Sequence, residues 1–458
     1  MSTHHEAASS VIDVQRFIDE HRFSPYQWLI LFICFLIVAA DGFDTSSIGF
    51  VAPAVAKDWS ISVRALGPVL SASIVGLGVG ALLAGPIADK IGRRRVLIGA
   101  VLFFGVWTTA CVVASGTAQL TVFRFLTGIG LGAALPNATT LLSEYVPAKR
   151  RSLLLNIMFC GFTLGASAGG VASAALIPDF GWRSVFVVGG LVPIVLAIAL
   201  VKLPESIRFM VVKDWPIEQI RRVLNRIADD PAIMTSRFTV SESQEGKQRA
   251  PVAVILSKRY RLGTVALWVT YFMGLLVYYL LTSWMPTLIR EAGFSLRQAS
   301  LVTALFTAGG VLGALSSGWL MDRFNPYRVV ALAFLLLGLA VCAMGQGTSD
   351  AGTLGILTFI AGVCMTAAQM SMLALATLFY PTHSRASGVS WMLGIGRFGG
   401  ILGAMGGGML IAAGYSMDSI LALMAIPALI AAASLFAMAW IAKSSVDPTQ
   451  SEYEEAGA

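Results

Sequence analysis

Asp41 and Asp44 stand three residues apart inside a long apolar run, and two single arginines, Arg124 and Arg397, lie inside two others. Positions three apart on a helix share a face. Two carboxylates in a low dielectric repel each other, and taking up a proton relieves that repulsion. Ionisable groups in apolar spans commonly mark proton or ion pathways. The plainer reading is a helix-end pair facing outer water, or a salt bridge that braces a bundle. Asp41 lies mid-run, which favours proton coupling.

Arg124 has three readings: a cation that modulates the Asp41 and Asp44 protons, a bidentate anchor for a substrate carboxylate, or a packing salt bridge with Glu144 or an aspartate. Coupling is placed narrowly first. Arg397 has no acidic residue nearby in sequence, so it reads as an anchor for an anionic ligand, or else as a contact to helix-end carbonyls. Ring contacts could come from Tyr271, Tyr278, Tyr279, Phe306 and Trp391, with Asn137 and Gln369 as polar partners.

These residues are positioned by an unusual chain. Of 458 residues, 56% are hydrophobic and 12% charged, against roughly 25% charged in ordinary soluble domains. The apolar residues arrive in blocks near the 20 or so that a helix needs to cross a bilayer. Backbone groups in lipid must be satisfied within the segment, so the blocks read as helices, and the short alternating segments of a β-barrel are not seen. Spans are expected near 28–54, 66–88, 96–115, 118–143, 153–177, 184–202, 263–285, 298–321, 328–346, 353–378, 386–413 and 418–442. The fold class is therefore an all-α membrane protein of two six-helix halves, 28–202 and 263–442. A polar N-terminal segment 1–27, a basic connector 203–262 and a tail 443–458 complete it. Segment 1–27 is too long and too charged for a cleaved signal peptide, so the first span is expected to be retained. The five cysteines sit in apolar blocks as small buried hydrophobes, without metal-site spacing.

Placing both termini and the connector on one side puts 25 of the 32 Lys and Arg there, five opposite, and Arg124 and Arg397 within spans. By the positive-inside rule that side is cytoplasmic, in a cell inner membrane. The net charge of +7 then faces anionic lipid and needs no nucleic acid.

The second-to-third loop reads Gly85-Pro-Ile-Ala-Asp89-Lys90-Ile-Gly92-Arg93-Arg94-Arg95, and half a chain later Gly318-Trp-Leu-Met-Asp322-Arg323-Phe-Asn325-Pro-Tyr-Arg328 repeats its glycine, aspartate, cation and distal arginine. Asp89 beside three arginines can form a cytoplasmic charge latch, with Glu144 as a further partner; a positive-inside stop signal is the plainer alternative. Arg385 reads as a cytoplasmic helix-start residue, with gating as its lesser reading. This loop resembles the signature of the major facilitator superfamily, a likeness that extends over essentially the whole chain. Asp41-Gly-Phe-Asp44, Arg124 with Gly128, Gly130 and Gly132, Pro204-Glu205-Ser206, and Gly394-Ile-Gly396-Arg397 resemble the aromatic acid:proton symporter family within it.

That resemblance implies a twelve-helix transporter, not an enzyme. It would take up an aromatic carboxylate such as hydroxybenzoate with protons by alternating access, as a monomer without cofactor or metal, driven by the proton gradient. Rivals are a carrier of another organic acid (muconate, phenylpropionate), an exporter of the same superfamily, a membrane-embedded enzyme and a chemoreceptor. The absence of catalytic motifs and the short connector weigh against the last two.

Overall fold

The computed structural model describes residues 11–239, 254–346, 350–380 and 382–444. Its frame is twelve helices long and apolar enough to cross a membrane. The N-terminal six are α1 (Pro25–Asp58), α2 (Gly67–Ile91), α3 (Arg93–Ala110), α4 (Thr117–Tyr145), α5 (Arg151–Phe180) and α6 (Arg183–Leu200). The C-terminal six are α7 (Arg261–Glu291), α8 (Leu296–Arg323), α9 (Pro326–Met344), α10 (Ala351–Phe379), α11 (Thr382–Ala412) and α12 (Met417–Ser444). Short reversals between neighbours leave the two six-helix sets with like orientation.

Local chemistry sets the ends. Ser24 and Gln27 form a reciprocal capping box with Pro25 in the first turn, so α1 begins three residues before the expected Trp28. Gly92 ends α2 at φ +101°, a conformation that glycine reaches without strain. Helix α11 starts at Thr382 instead of 386, which puts Arg385 inside its first turn, exposed.

Small residues decide which helices touch. A side-chain carbon added at Gly128 or Gly132 would run into the α2 backbone at Ser73 or Leu77, and one at Gly130 would strike Phe104 of α3. Gly161 and Gly165 of α5 meet α1 at Phe35 and Ala39 in the same way. Lipid tails are as apolar as leucine, so close backbone approach, more than hydrophobic burial, holds such helices together.

The segments read from sequence as polar additions carry a core of their own. Val11–Asp13 pairs in parallel with Arg237–Thr239, and helix Val14–Glu20 buries Val14, Phe17 and Ile18. These pack with Ile207 and Met210 of helix Ile207–Val212 and with Ile220 and Leu224 of helix Ile217–Asn225, under the connector ends of α4 and α5. The spacing Val14, Phe17, Ile18 is an amphipathic stripe hidden among charges. The expected tail 443–458 lies, past Ser444, outside the described residues.

Two apolar cores run through the bundle. One joins the far end of the N-terminal half, at Val51, Leu70 and Phe186, to the C-terminal half along its length, from Trp284 and Phe306 to Leu267 and Tyr380. The other lies at the connector end of the N-terminal half, together with the short helices of the N-terminal segment and the connector. The halves touch at the far end and middle: Gly49 of α1 lies on Thr282 and Ser283 of α7, Gly67 of α2 on Met405 of α11, and Ser167 of α5 donates to the Ala304 carbonyl of α8. At the connector end the apolar core of the N-terminal half includes no residue of the C-terminal half among the described residues. The bundle is closed at its far end and open at its connector end.

Candidate functional site

Helix α1 carries the first half of the site. Gly42 is pressed onto the α5 backbone at Phe162, which fixes the rotation of α1. Asp41 and Asp44, about 60° apart round the helix, then point into different surroundings. Asp44 turns into the N-terminal half. Arg124 Nη1 lies 3.0 Å from its Oδ1 and 2.9 Å from its Oδ2, Arg124 Nη2 donates to its main-chain carbonyl at 3.3 Å, and Thr108 Oγ1 donates to Oδ1 at 2.8 Å. Both ionic side chains are 0% exposed. The Phe186 ring lies 5.9 Å from the guanidinium carbon. Of the three readings of Arg124, its geometry is that of an ion pair with an aspartate, and Glu144 is not its partner.

Asp41 is also buried, yet its one hydrogen bond among the described residues comes from Thr45 Oγ1 at 3.1 Å, one turn on. It lies in electrostatic reach of Asp44, of Arg397 in the other half, and of Tyr278 and Tyr279. A hollow beside it is lined by Thr45, Ile48, Ser73 and Leu77 from one half and Tyr279 and Ser283 from the other.

Helices α7, α10 and α11 supply the second half of the site. Gly396 and Gly400 seat α11 on the rings of Tyr271 and Tyr279. Trp284 Nε1 donates to the Ala404 carbonyl at 2.6 Å, locking the pair further out. Arg397 rides between these contacts, in reach of Tyr271, Tyr279 and Asp41, and its buried Nη1 has no hydrogen-bond partner among the described residues. Gln369 of α10 lies in the notch left by Gly274, where an added carbon would stand 2.6 Å from its Oε1. Both amide atoms of Gln369 are buried and unpartnered among the described residues. Tyr278 packs against Tyr279 and Phe306, with centroids 5.3 and 6.2 Å apart.

One expected ligand contact is already hydrogen-bonded within its own helix, and another is placed elsewhere. Asn137 is buried, but its Nδ2 already donates to the Ala133 carbonyl of its own helix at 2.8 Å. Trp391 does not join Arg397: six residues is about 120° round a helix, and Trp391 stacks on Trp268 at 5.9 Å, 47% exposed. It shares an exposed stripe with Phe398 and Leu402, the face expected of a lipid contact.

At the connector end, Arg93 Nη2 pairs with Asp89 Oδ1 at 2.8 Å, within one half. Glu144 accepts a hydrogen bond from Ser206 and lies in reach of Arg93 and Arg208. Glu205, the acid of the proline-glutamate-serine motif, is central here. Its carboxylate covers Gly92 and accepts the Arg94 amide at 3.0 Å, while its carbonyl takes the Tyr145 hydroxyl at 2.6 Å. The second loop copy is unlike the first: Asp322 and Arg323 are exposed, and Arg323 lies over the Trp319 ring at 4.8 Å. Among the described residues no ion pair joins the two copies. Thr108, Thr45 and Glu205 were missed from sequence; only Glu205 carried a signal, its proline-glutamate-serine motif.

Comparison with known proteins agrees with this architecture. The sequence profile of the Major Facilitator Superfamily matches residues 34–296 and 267–458. The chain is 50% identical to the 4-hydroxybenzoate transporter PcaK of Pseudomonas aeruginosa, over 93% of this chain and 95% of that one. It is 48% identical to the gallate transporter of Pseudomonas putida, again over 93% and 95%. In three dimensions it resembles the D-xylose-proton symporter, with a TM-score of 0.68 at 16% identity over 90% of this chain and 97% of that one. The twelve-helix frame, its duplicated loop and these likenesses together mean that the chain belongs to the major facilitator superfamily.

Proposed function

We propose that this chain carries an aromatic carboxylate, with a hydroxybenzoate as first candidate, into the cell together with at least one proton. The observation that carries the reading is Asp41, a buried carboxylate without an ion pair in its own half, facing Arg397 across the interface. The 4-hydroxybenzoate and gallate specificities of its relatives support the substrate class. Asp41, Asp44 and Arg124 form the proton-coupling site. Arg397 anchors the substrate carboxylate, with Tyr271, Gln369 and Asn137 as further contacts and Trp391 outside the site. Arg397 can answer Asp41 or the substrate carboxylate. When the substrate takes it, Asp41 loses its counter-charge and takes up a proton, so both load together.

The basic connector side is cytoplasmic, in the cell inner membrane with both termini inside, and the open end therefore faces the cytoplasm. Rocking of the half 28–202 against 263–442 closes that end, with Gly85, Asp89, Gly92 and Arg93 of the first loop, Glu144 at the end of α4, and Asp322, Arg323 and Arg385 of the other half as its gate. The unit works as a monomer on the proton gradient, with no cofactor.

Uptake of labelled 4-hydroxybenzoate by cells expressing the chain tests this, and a protonophore should abolish the accumulation. Asp41→Asn should reach the membrane in normal amount and take up nothing; full uptake by that variant would sink the coupling assignment.

A further inference from the structure

The two aspartates of α1 are not equivalent. Asp44 receives two donors on its carboxylate, from Arg124 and Thr108, and its guanidinium partner is wholly buried with it. Asp41 receives one neutral hydroxyl. Hydrogen bonds and an ion pair to the charged form favour that form, so a proton arriving at Asp44 would have to displace Arg124 from a site closed to water. A proton arriving at Asp41 displaces nothing within its own half.

We infer that Asp41 alone carries the transported proton, that Thr108 and Arg124 hold Asp44 as a fixed anion, and that a monocarboxylate therefore crosses with a single proton. This deepens the symport reading above and rests on it. The charged and titratable groups facing Asp44 are Asp41 on α1, Cys111 beyond the end of α3 and Arg124 on α4. Those facing Asp41 are Asp44, Arg397 on α11, and Tyr278 and Tyr279 on α7. Among them Arg397 is the one partner that changes sides with the substrate. Charge then balances over a cycle: the substrate brings one negative charge, the proton on Asp41 one positive, and Asp44 and Arg124 keep their own. Thr108 is a positioning residue in this scheme, since it touches neither substrate nor the moving proton.

The test uses the full chain in proteoliposomes, with a pH gradient and a potassium–valinomycin potential imposed separately and labelled 4-hydroxybenzoate as substrate. Accumulation should follow the first power of the proton ratio, and an inside-negative potential should add nothing. Accumulation that follows the square of the proton ratio, or that the potential increases, overturns the inference while leaving symport standing. No accumulation under either force overturns both. Thr108→Val should steepen the pH dependence of uptake toward two protons, and Thr108→Ser should restore the parent slope. A Thr108→Val protein with lower uptake and an unchanged slope overturns the role of Thr108. If that variant does not reach the membrane, the stoichiometry of the parent protein decides.

Discussion

The buried charges of the two halves are treated differently. In the N-terminal half Arg124 and Asp44 are paired, Glu144 takes the Ser206 hydroxyl and Glu205 the Arg94 amide, although single atoms such as Arg124 Nε and Thr127 Oγ1 have no hydrogen bond among the described residues. In the C-terminal half Arg397 has no ion pair among the described residues, and its Nη1 and both amide atoms of Gln369 have no hydrogen-bond partner there. An unsatisfied buried group costs roughly 1–3 kcal/mol, more when charged. On the function proposed above, the substrate completes Arg397 and Gln369, which makes a division of labour: one half is preassembled and the other is finished on binding. Substitutions in the first should therefore register in stability, and substitutions in the second in binding.

The largest effect should come from Arg124→Leu. Removing one partner of a buried ion pair leaves an uncompensated charge and costs about 3–5 kcal/mol. Thermal unfolding in detergent should show a large loss, and adding Asp44→Asn should restore much of it. A single variant as stable as the parent would break the claim that this half is held by its ionic core.

Arg397→Gln should behave in the opposite way. Its unfolding should match the parent within about 0.5 kcal/mol, the usual range for changes that remove no intramolecular bond. Binding of 4-hydroxybenzoate should weaken by about 2–3 kcal/mol, the scale of a hydrogen bond to a charged group. Arg397→Lys should recover part of the affinity, because an ammonium keeps the charge and loses the bidentate fork. Thermal unfolding of the purified variants checks the first, and calorimetric titration checks the two affinities. A variant that loses stability and keeps affinity would place Arg397 with the braced charges of the other half.

The four intramembrane charges were legible in the sequence because they stand out against 56% hydrophobic residues. Their pairing was not. Asp44 and Arg124 lie eighty residues apart, and they meet because Gly128 and Gly132 turn α4 onto α2 and Gly42 turns α1 onto α5. Those contacts are set by backbone shape, which one sequence does not display. Trp391 went astray for a related reason. A span apolar on every side gives no periodicity to separate a lipid face from an interior one, so Trp391 and Arg397 read as neighbours. The N-terminal stripe Val14, Phe17, Ile18 was masked by the charges around it. The span count needed only composition and punctuation and is present as read; the loop is duplicated in sequence, but its second copy is exposed and does not repeat the Asp89–Arg93 pair among the described residues.

A smaller effect should come from Gly92→Ala, on the connector side of the preassembled half. At φ +101° an alanine is strained, and its methyl group would run into the Glu205 carboxylate. The strain is worth on the order of 1–3 kcal/mol, read as a lower unfolding temperature. Glu205→Ala in the same chain removes the clash and leaves the strain, so the pair separates the two causes. If Gly92→Ala is as stable as the parent, the cap over α3 is looser than its hydrogen bonds imply.

The smallest change in stability should come from Asp89→Asn, and it bears most closely on how the halves communicate. The Asp89–Arg93 pair is exposed on its acidic side, 70% for the Asp89 side chain, and exposed pairs are worth about 0–1 kcal/mol. Unfolding should hardly move. Asp89 nonetheless ends the helix that must approach the other half when the connector side closes, and in the open form it is answered only locally. Its loss should therefore slow exchange between the open and closed forms more than it weakens either one. Counterflow of preloaded substrate from proteoliposomes should fall several-fold, while substrate affinity measured by calorimetry stays at the parent value. A drop in affinity with unchanged counterflow would mean that Asp89 acts on the site and not on the closure of the bundle.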